Sequence, residues 1–266
     1  MKKAIYIITI LLLLVVFGVS AWYVGSYFLE GREQSAKFDE LSDIKESAKA
    51  AAQETETTTA PTEGTQAATE TDGERKMLPG YAELYEMNHD LVGWITIDGT
   101  EIDYPVMQTP NNTDYYLRRN FSGEDSTRGC IYAREVCDVF RPSDNVTIYG
   151  HNMHDGSMFA ALHQYQEKSF WEEHDEIQFD NLYEEHVYRI FSVFLTTATL
   201  GEGFRYHQMV DAEDEADFDD FIATCKELAL YDTGITPKYG DKIICLSTCE
   251  KTQENGRLVV AAVRIS

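Results

Sequence analysis

Over the second half of the chain, apolar and polar positions alternate in short runs of period two, the mark of strands with one buried face. GWITIDGTEIDYPVM holds two such runs around Asp98-Gly99, a dipeptide that favours a two-residue hairpin turn. Further strands are predicted at residues 129–133, 145–149, 176–179 and 186–199, and the chain ends in two apolar runs, 242–249 and 257–265, joined by a polar loop containing Gly256. Eight short strands at close spacing predict a mostly β fold, a closed or nearly closed eight-stranded barrel. Helices are additions to it. Residues 81–88 read as a short helix, and Ser157 is placed to cap another whose Met158, Phe159 and Leu162 face inward. Between the sixth and seventh strands, residues 214–230 put Phe218, Phe221, Ile222, Cys225 and Leu228 on one helical face.

The first third follows different patterns. After Lys2 and Lys3, residues 4–29 carry no charged side chain. At about 1.5 Å per residue such a helix exceeds the roughly 30 Å hydrocarbon core of a bilayer. Tyr6 sits at one end and Trp22, Tyr23 and Tyr27 at the other, as interfacial aromatics do, and the two lysines orient the N-terminus to the cytoplasm. Val19-Ser20-Ala21 resembles a cleavage site, but the apolar run continues past it through bulky aromatics, which favours an uncleaved signal anchor over residues 1–29. Residues 30–76 are expected to be a disordered linker rich in Thr, Ala and Glu, with at most a weak helix over 33–53, and the folded domain is expected over 77–266.

Composition removes some classes of partner. A net charge of -24 disfavours nucleic acid and anionic membrane surfaces. Five cysteines are an odd number, so at least one thiol is free unless it pairs with another chain. Cys130 and Cys137 are read as free buried thiols, with a disulfide between them as the alternative.

Candidate chemistry lies at the C-terminal hairpin. Cys249 ends one strand and Arg257 begins the next. If they share a face, a thiol stands beside a permanent cation that favours the thiolate or holds an oxyanion. A proton-transfer partner is needed, and among seven histidines His151 alone directly follows a predicted strand, in VTIYGHNMHDGSMF, with Gly150 read as allowing a sharp turn. His163 and His207 are read as ordinary polar-surface residues. A metal reading of His151, His154 and Asp155 lacks further ligands at zinc spacing, so no metal and no cofactor are expected. The acidic run 211–220 lacks the glycine and spacing of a calcium loop and is read as a solvated helix start.

YGHNM followed by LSTCE and Arg257 resembles the catalytic signature of the sortases. GWITIDGT, DYPVMQ, YGHNMHDGSMF, the IFSV of residues 190–193 and LSTCE are similar to class B in particular. The resemblance covers about residues 80–266, and the helix between strands six and seven is similar to class B architecture. One departure is Cys245, which stands where class B usually has the threonine of TLSTC; four strand residues span about 13 Å, too far for a disulfide to Cys249, so Cys245 is read as a small hydrophobe.

The resemblance implies a membrane-anchored cysteine transpeptidase with Cys249, His151 and Arg257 as catalytic residues. It implies that Cys249 attacks a threonine carbonyl in the C-terminal sorting motif of a secreted protein. The thioester formed is then resolved by an amine of peptidoglycan, from a precursor or a cross-bridge. Leu117, Ser247, Thr248 and Glu250 are expected to contact the peptide. Alternatives are a pilin-polymerising sortase, a secreted cysteine peptidase or cell-wall hydrolase in which water takes the amine's place, and a non-catalytic surface adhesin.

Overall fold

The computed structural model describes residues 2–58, 75–199 and 201–266. Contacts divide the chain into two compact units, Met1–Glu40 and Leu41–Ser266. Helix α1 runs Lys2–Thr58. Residues 30–58 are therefore helical where a linker was expected, and the second unit starts at Leu41 rather than at residue 77. Residues 59–74, most of the Thr/Ala/Glu tract, lie outside the described residues. Within the first unit the apolar side chains from Ile5 to Leu29 are largely exposed, and by length and composition α1 is apolar enough to cross a membrane.

The helical turns after Leu41 belong to the barrel unit because they bury specific groups there. Leu41 is fully buried, and Lys45 Nζ lies 4.4 Å from the centre of the Trp94 ring and 3.7 Å from Asp103 Oδ1. Asp103 also accepts from Ser42 Oγ, Trp94 Nε1 and Thr96 Oγ1. Burial raises its pKa, but these donors and the Lys45 charge outweigh burial and hold the carboxyl below its usual value.

After α2 (Tyr81–Met87) come β1 (Leu91–Thr96), β2 (Asp103–Met107), β3 (Ile131–Ala133) and β4 (Asn145–Tyr149). A 3-10 helix, Tyr115–Arg118, lies between β2 and β3, and a second, Phe159–Gln166, precedes α3 (Lys168–Glu173). The chain continues through β5 (Glu176–Asn181), β6 (Val187–Thr197), α4 (Glu215–Glu227), β7 (Ile243–Cys249) and β8 (Gly256–Arg264). All eight strands form one closed barrel in the order β1-β2-β3-β4-β7-β8-β6-β5. β2 with β3 and β4 with β7 are parallel pairs; the remaining neighbours are antiparallel. Closure leaves no unpaired sheet edge.

Two local expectations need correction. The β1–β2 turn is longer than two residues, because Ile97 N donates to Ile102 O at 2.9 Å and closes a loop with Gly99 at φ +77°. Ser157 does not cap the following helix: its hydroxyl donates to Asp155 and accepts from Arg128, while Met158, Phe159 and Leu162 are buried as expected.

Asp214 caps α4 with a side chain that accepts from Asp217 N, and the apolar face of the helix covers one side of the barrel. Phe218, Phe221, Ile222 and Cys225 pack with Phe191, Phe194, Ile243, Cys245, Val259, Ala261 and Val263. Leu228 follows the helix and is 38% exposed. Cys245 is thus a buried small hydrophobe, and Cys130, Cys137 and Cys225 are buried and free.

Candidate active site

Strand alternation carries Ile243, Cys245, Ser247 and Cys249 on one face of β7, and β8 carries Arg257, Val259, Ala261 and Val263 opposite them. α4 covers the first part of this face; Cys249 and Arg257 are its uncovered end. They are direct cross-strand partners, which places their Cβ atoms about 5 Å apart on one side. Cys249 is the only exposed cysteine of the five. Arg257 turns one guanidinium nitrogen, Nη1, back to the carbonyls of Asn255 and Gly256 at 3.2 and 2.9 Å.

His151 reaches the same place from the other side of β7. The parallel ladder pairs Tyr149 with Ser247, and His151 and Cys249 each stand two residues past that pair. Gly150 N donates to Ser247 O at 3.1 Å, extending the ladder one step further. Gly150 is required for room and not for a turn: a Cβ there would stand 2.5 Å from Ile131 Cδ1 and 2.6 Å from the Phe159 ring. His151 Nε2 is 2.9 Å from Leu117 O. A carbonyl only accepts, so Nε2 carries a hydrogen and, in the neutral ring, Nδ1 keeps its lone pair.

These residues surround a cleft of about 240 Å³. Of the predicted site, His151, Cys249, Arg257, Leu117, Ser247 and Thr248 all line it. Ser247 and Thr248 are each 2% exposed, so neither presents a free hydroxyl to solvent. The Ser247 hydroxyl is bonded to Tyr206 Oη at 2.6 Å, whereas Thr248 Oγ1 has no hydrogen-bond partner among the described residues. Glu250 departs from expectation. It does not line the cleft, because its carboxylate folds back on the hairpin loop to accept from Thr252 N at 2.9 Å and Thr252 Oγ1 at 2.6 Å. Burial pushes its pKa up, but these hydrogen bonds outweigh that and hold the carboxyl below its usual value.

Other cleft residues were not legible beforehand. Tyr206 and His207 come from the irregular segment between β6 and α4, and Asp114 precedes the 3-10 helix at φ 56° and accepts from Tyr132 Oη at 2.8 Å. Burial, then the charges of Arg134, Arg205 and Arg257, lower the pKa of His207. His163, read as an ordinary surface residue, places Nε2 3.0 Å from Cys249 O. Asp155 is committed to Arg128 at 2.6 Å, and among the described residues there is no cluster of three or more His, Cys, Asp or Glu fit to hold a metal.

A closed mixed barrel whose mouth gathers an exposed thiol, an imidazole and a guanidinium defines a class, a β-barrel protein arranged for cysteine chemistry. The sortase domain family matches residues 95–265, and the chain belongs to the sortase family, whose members are cysteine transpeptidases. It is 33% identical over 259 residues to sortase B of Listeria monocytogenes, covering 94% of this chain and 93% of that one. It is 28% identical over 264 residues to sortase B of Staphylococcus aureus, with 98% and 97% covered. Among solved structures, the Staphylococcus aureus sortase B-substrate complex superposes with a TM-score of 0.74 at 28% identity, over 90% of this chain and 99% of that one. A Bacillus anthracis protein described as similar to sortase B gives 0.70 at 32% identity, over 88% and 96%.

Proposed function

We propose that this sortase cleaves a threonine-containing sorting motif near the C-terminus of secreted proteins and joins the new terminus to an amine of peptidoglycan. The observation that carries this reading is the level placement of His151, two residues past β4, and Cys249, at the end of the neighbouring parallel strand β7, with Arg257 opposite the cysteine at one cleft.

Cys249 Sγ attacks the threonine carbonyl, forming a C–S bond. The tetrahedral oxyanion that results is held by the part of the Arg257 guanidinium not bound to Asn255 and Gly256; a positioned donor of this kind contributes about 2.7 to 4 kcal/mol. The C–N bond breaks as protonated His151 gives its proton to the leaving amine, and a thioester remains. An incoming amine then loses a proton to His151, attacks the thioester, and releases the thiolate as the new amide forms. The Leu117 carbonyl holds the Nε2–H of His151 throughout, which leaves Nδ1 as the atom that exchanges the proton. Leu117, Ser247 and Thr248 shape the peptide's bed by packing rather than through exposed hydroxyls.

The apolar start of α1 serves as a membrane anchor with the N-terminus cytoplasmic and the barrel outside, where secreted substrates emerge. The test is to incubate the full chain in detergent with a library of threonine-containing pentapeptides, with and without added amine, and to follow adducts by mass spectrometry. A thioester on Cys249 and an amine-dependent ligated product are expected, both lost in Cys249→Ala and strongly reduced in His151→Ala and Arg257→Ala. Equal turnover in Cys249→Ala would refute the mechanism, and products formed only with water would make the enzyme a hydrolase.

A further inference from the structure

The backbone carbonyl of Cys249 is held from the side of the histidine. Asn152, next in sequence to His151, donates from Nδ2 to Cys249 O at 3.1 Å. His163 Nε2 lies 3.0 Å from the same oxygen and 2.9 Å from Asn152 Nδ2. Gln166 Nε2 stands 3.1 Å from His163 Nδ1. A hydrogen on Nε2 satisfies both the Cys249 oxygen, which only accepts, and the Gln166 amide at Nδ1, and leaves the Asn152 Nδ2 approach as a contact between two donors; the opposite tautomer satisfies Asn152 alone, so the hydrogen is assigned to Nε2. In that tautomer Asn152 and His163 both donate to the oxygen, side by side from the same direction.

Asn152, His163 and Gln166 all belong to the segment that leaves β4 through His151. The segment is closed on itself by Phe159 N donating to His151 O at 2.9 Å, and it is tied to the rest of the barrel by Arg128 on Asp155 and Ser157. The ladder to β4 ends at the Tyr149–Ser247 pair; the peptide plane that follows Cys249 is held on the β8 side by Glu250 N donating to Gly256 O at 2.9 Å, and its carbonyl, on the side of His151, has no strand partner in β4.

We infer that Asn152 and His163 are positioning residues that clamp the Cys249 carbonyl, locking the nucleophile's peptide plane to the segment that carries His151. The inference rests on the assignment of Cys249 and His151 as the reacting pair. Neither clamp residue touches the reacting atoms; both act through the cysteine backbone. The device converts a loop-borne histidine and a strand-end cysteine into one rigid unit, so that their separation does not depend on the bound peptide.

Alkylation of Cys249 by iodoacetamide, followed by mass spectrometry of its peptide across pH, tests this on the full chain in detergent without knowledge of the sorting motif. The titratable and charged groups around Cys249 are Asp114, Tyr132, Tyr149, His151, Tyr206, His207 and Arg257 in the cleft and His163, Glu250 and Lys251 beside it. The decisive variants are Asn152→Ala, His163→Ala, their combination, and His163→Gln, which keeps an N–H donor while removing the ring. Loss of one neutral hydrogen bond corresponds to a fall of about three- to tenfold in rate at neutral pH. The combined variant is expected to move the pH profile to that of His151→Ala, and His163→Gln to keep the wild-type profile. A wild-type profile in the combined variant, or a defect in His163→Gln equal to that of His163→Ala, would overturn the clamp. If His151→Ala itself leaves the profile unchanged, the pairing of His151 with Cys249 fails, a different result from failure of the clamp.

Discussion

The imidazole of His151 is tethered by a main-chain atom: its Nε2 meets the carbonyl oxygen of Leu117 at 2.9 Å. Among the described residues no side-chain carboxylate takes that role, so the orientation of the ring depends on the path of the 3-10 helix Tyr115–Arg118. The neutral ring is expected to carry its hydrogen on Nε2. Long-range proton–nitrogen correlation NMR on histidine-labelled protein reports this directly, and a predominant Nδ1–H form would show that the Leu117 contact does not persist in solution.

Gly150→Ala should be far more damaging than a single added methyl suggests. The methyl would lie 2.5 Å from Ile131 and 2.6 Å from Phe159, both fully buried. Overpacking of this kind costs about 1 to 3 kcal/mol. Because the displaced residue adjoins His151, peptide turnover should fall along with the denaturant midpoint.

The guanidinium of Arg128 is 2% exposed and faces Asp155 at 2.6 Å. Asp155→Ala removes the exposed carboxylate that faces this buried cation and should cost about 1 to 3 kcal/mol by denaturant unfolding, whereas Asp155→Asn, which keeps an acceptor, should cost less. Burial raises the Asp155 pKa, but hydrogen bonds from Ser157 and Arg128 outweigh it and hold the carboxyl below its usual value. A depressed folded pKa means that this contribution is present above the ordinary carboxylate range and is lost as pH falls through the depressed value. Asp155→Ala should remove the Asp155 share of the acid sensitivity in that window and leave that of Asp103 and Glu250, whose carboxyls are likewise held low.

At the alkaline end, burial pushes Tyr104, Tyr188 and Tyr206 up to about 12. The folded chain then retains protons that the unfolded chain releases near pH 10. The stabilisation is complete below about pH 10 and falls as pH rises from there to about 12. Denaturant midpoints measured across that interval should decline, and tyrosinate absorbance should rise late and together with unfolding.

Much of the barrel was legible because its strands bury one face, and alternation records that face directly. The final hairpin was read almost to the residue, since Cys249 and Arg257 bracket a polar loop between two apolar runs. What escaped prediction depends on partners distant in sequence. The buried side of α1 after Leu41 presents Lys45, a residue that reads as solvated until Trp94 and Asp103 are brought to it. Glu250 looked like a cleft residue from its place beside Cys249, but Thr252, two residues on, captures its carboxylate. His163 and His207 have no local pattern that sets them apart from surface histidines. Only the fold brings one to the Cys249 carbonyl and the other to the cleft wall.

The parallel pairing of β4 with β7 has an evolutionary consequence. Because His151 and Cys249 are both two residues past the Tyr149–Ser247 pair, the points at which they leave the ladder are set by sheet spacing, about 4.8 Å between neighbouring strands. Insertions and deletions in the loops that supply Asp114, Tyr206 and His207 leave that ruler untouched. A lineage can therefore exchange the walls of the cleft while keeping His151 and Cys249 level across the sheet, as the chemistry proposed above requires.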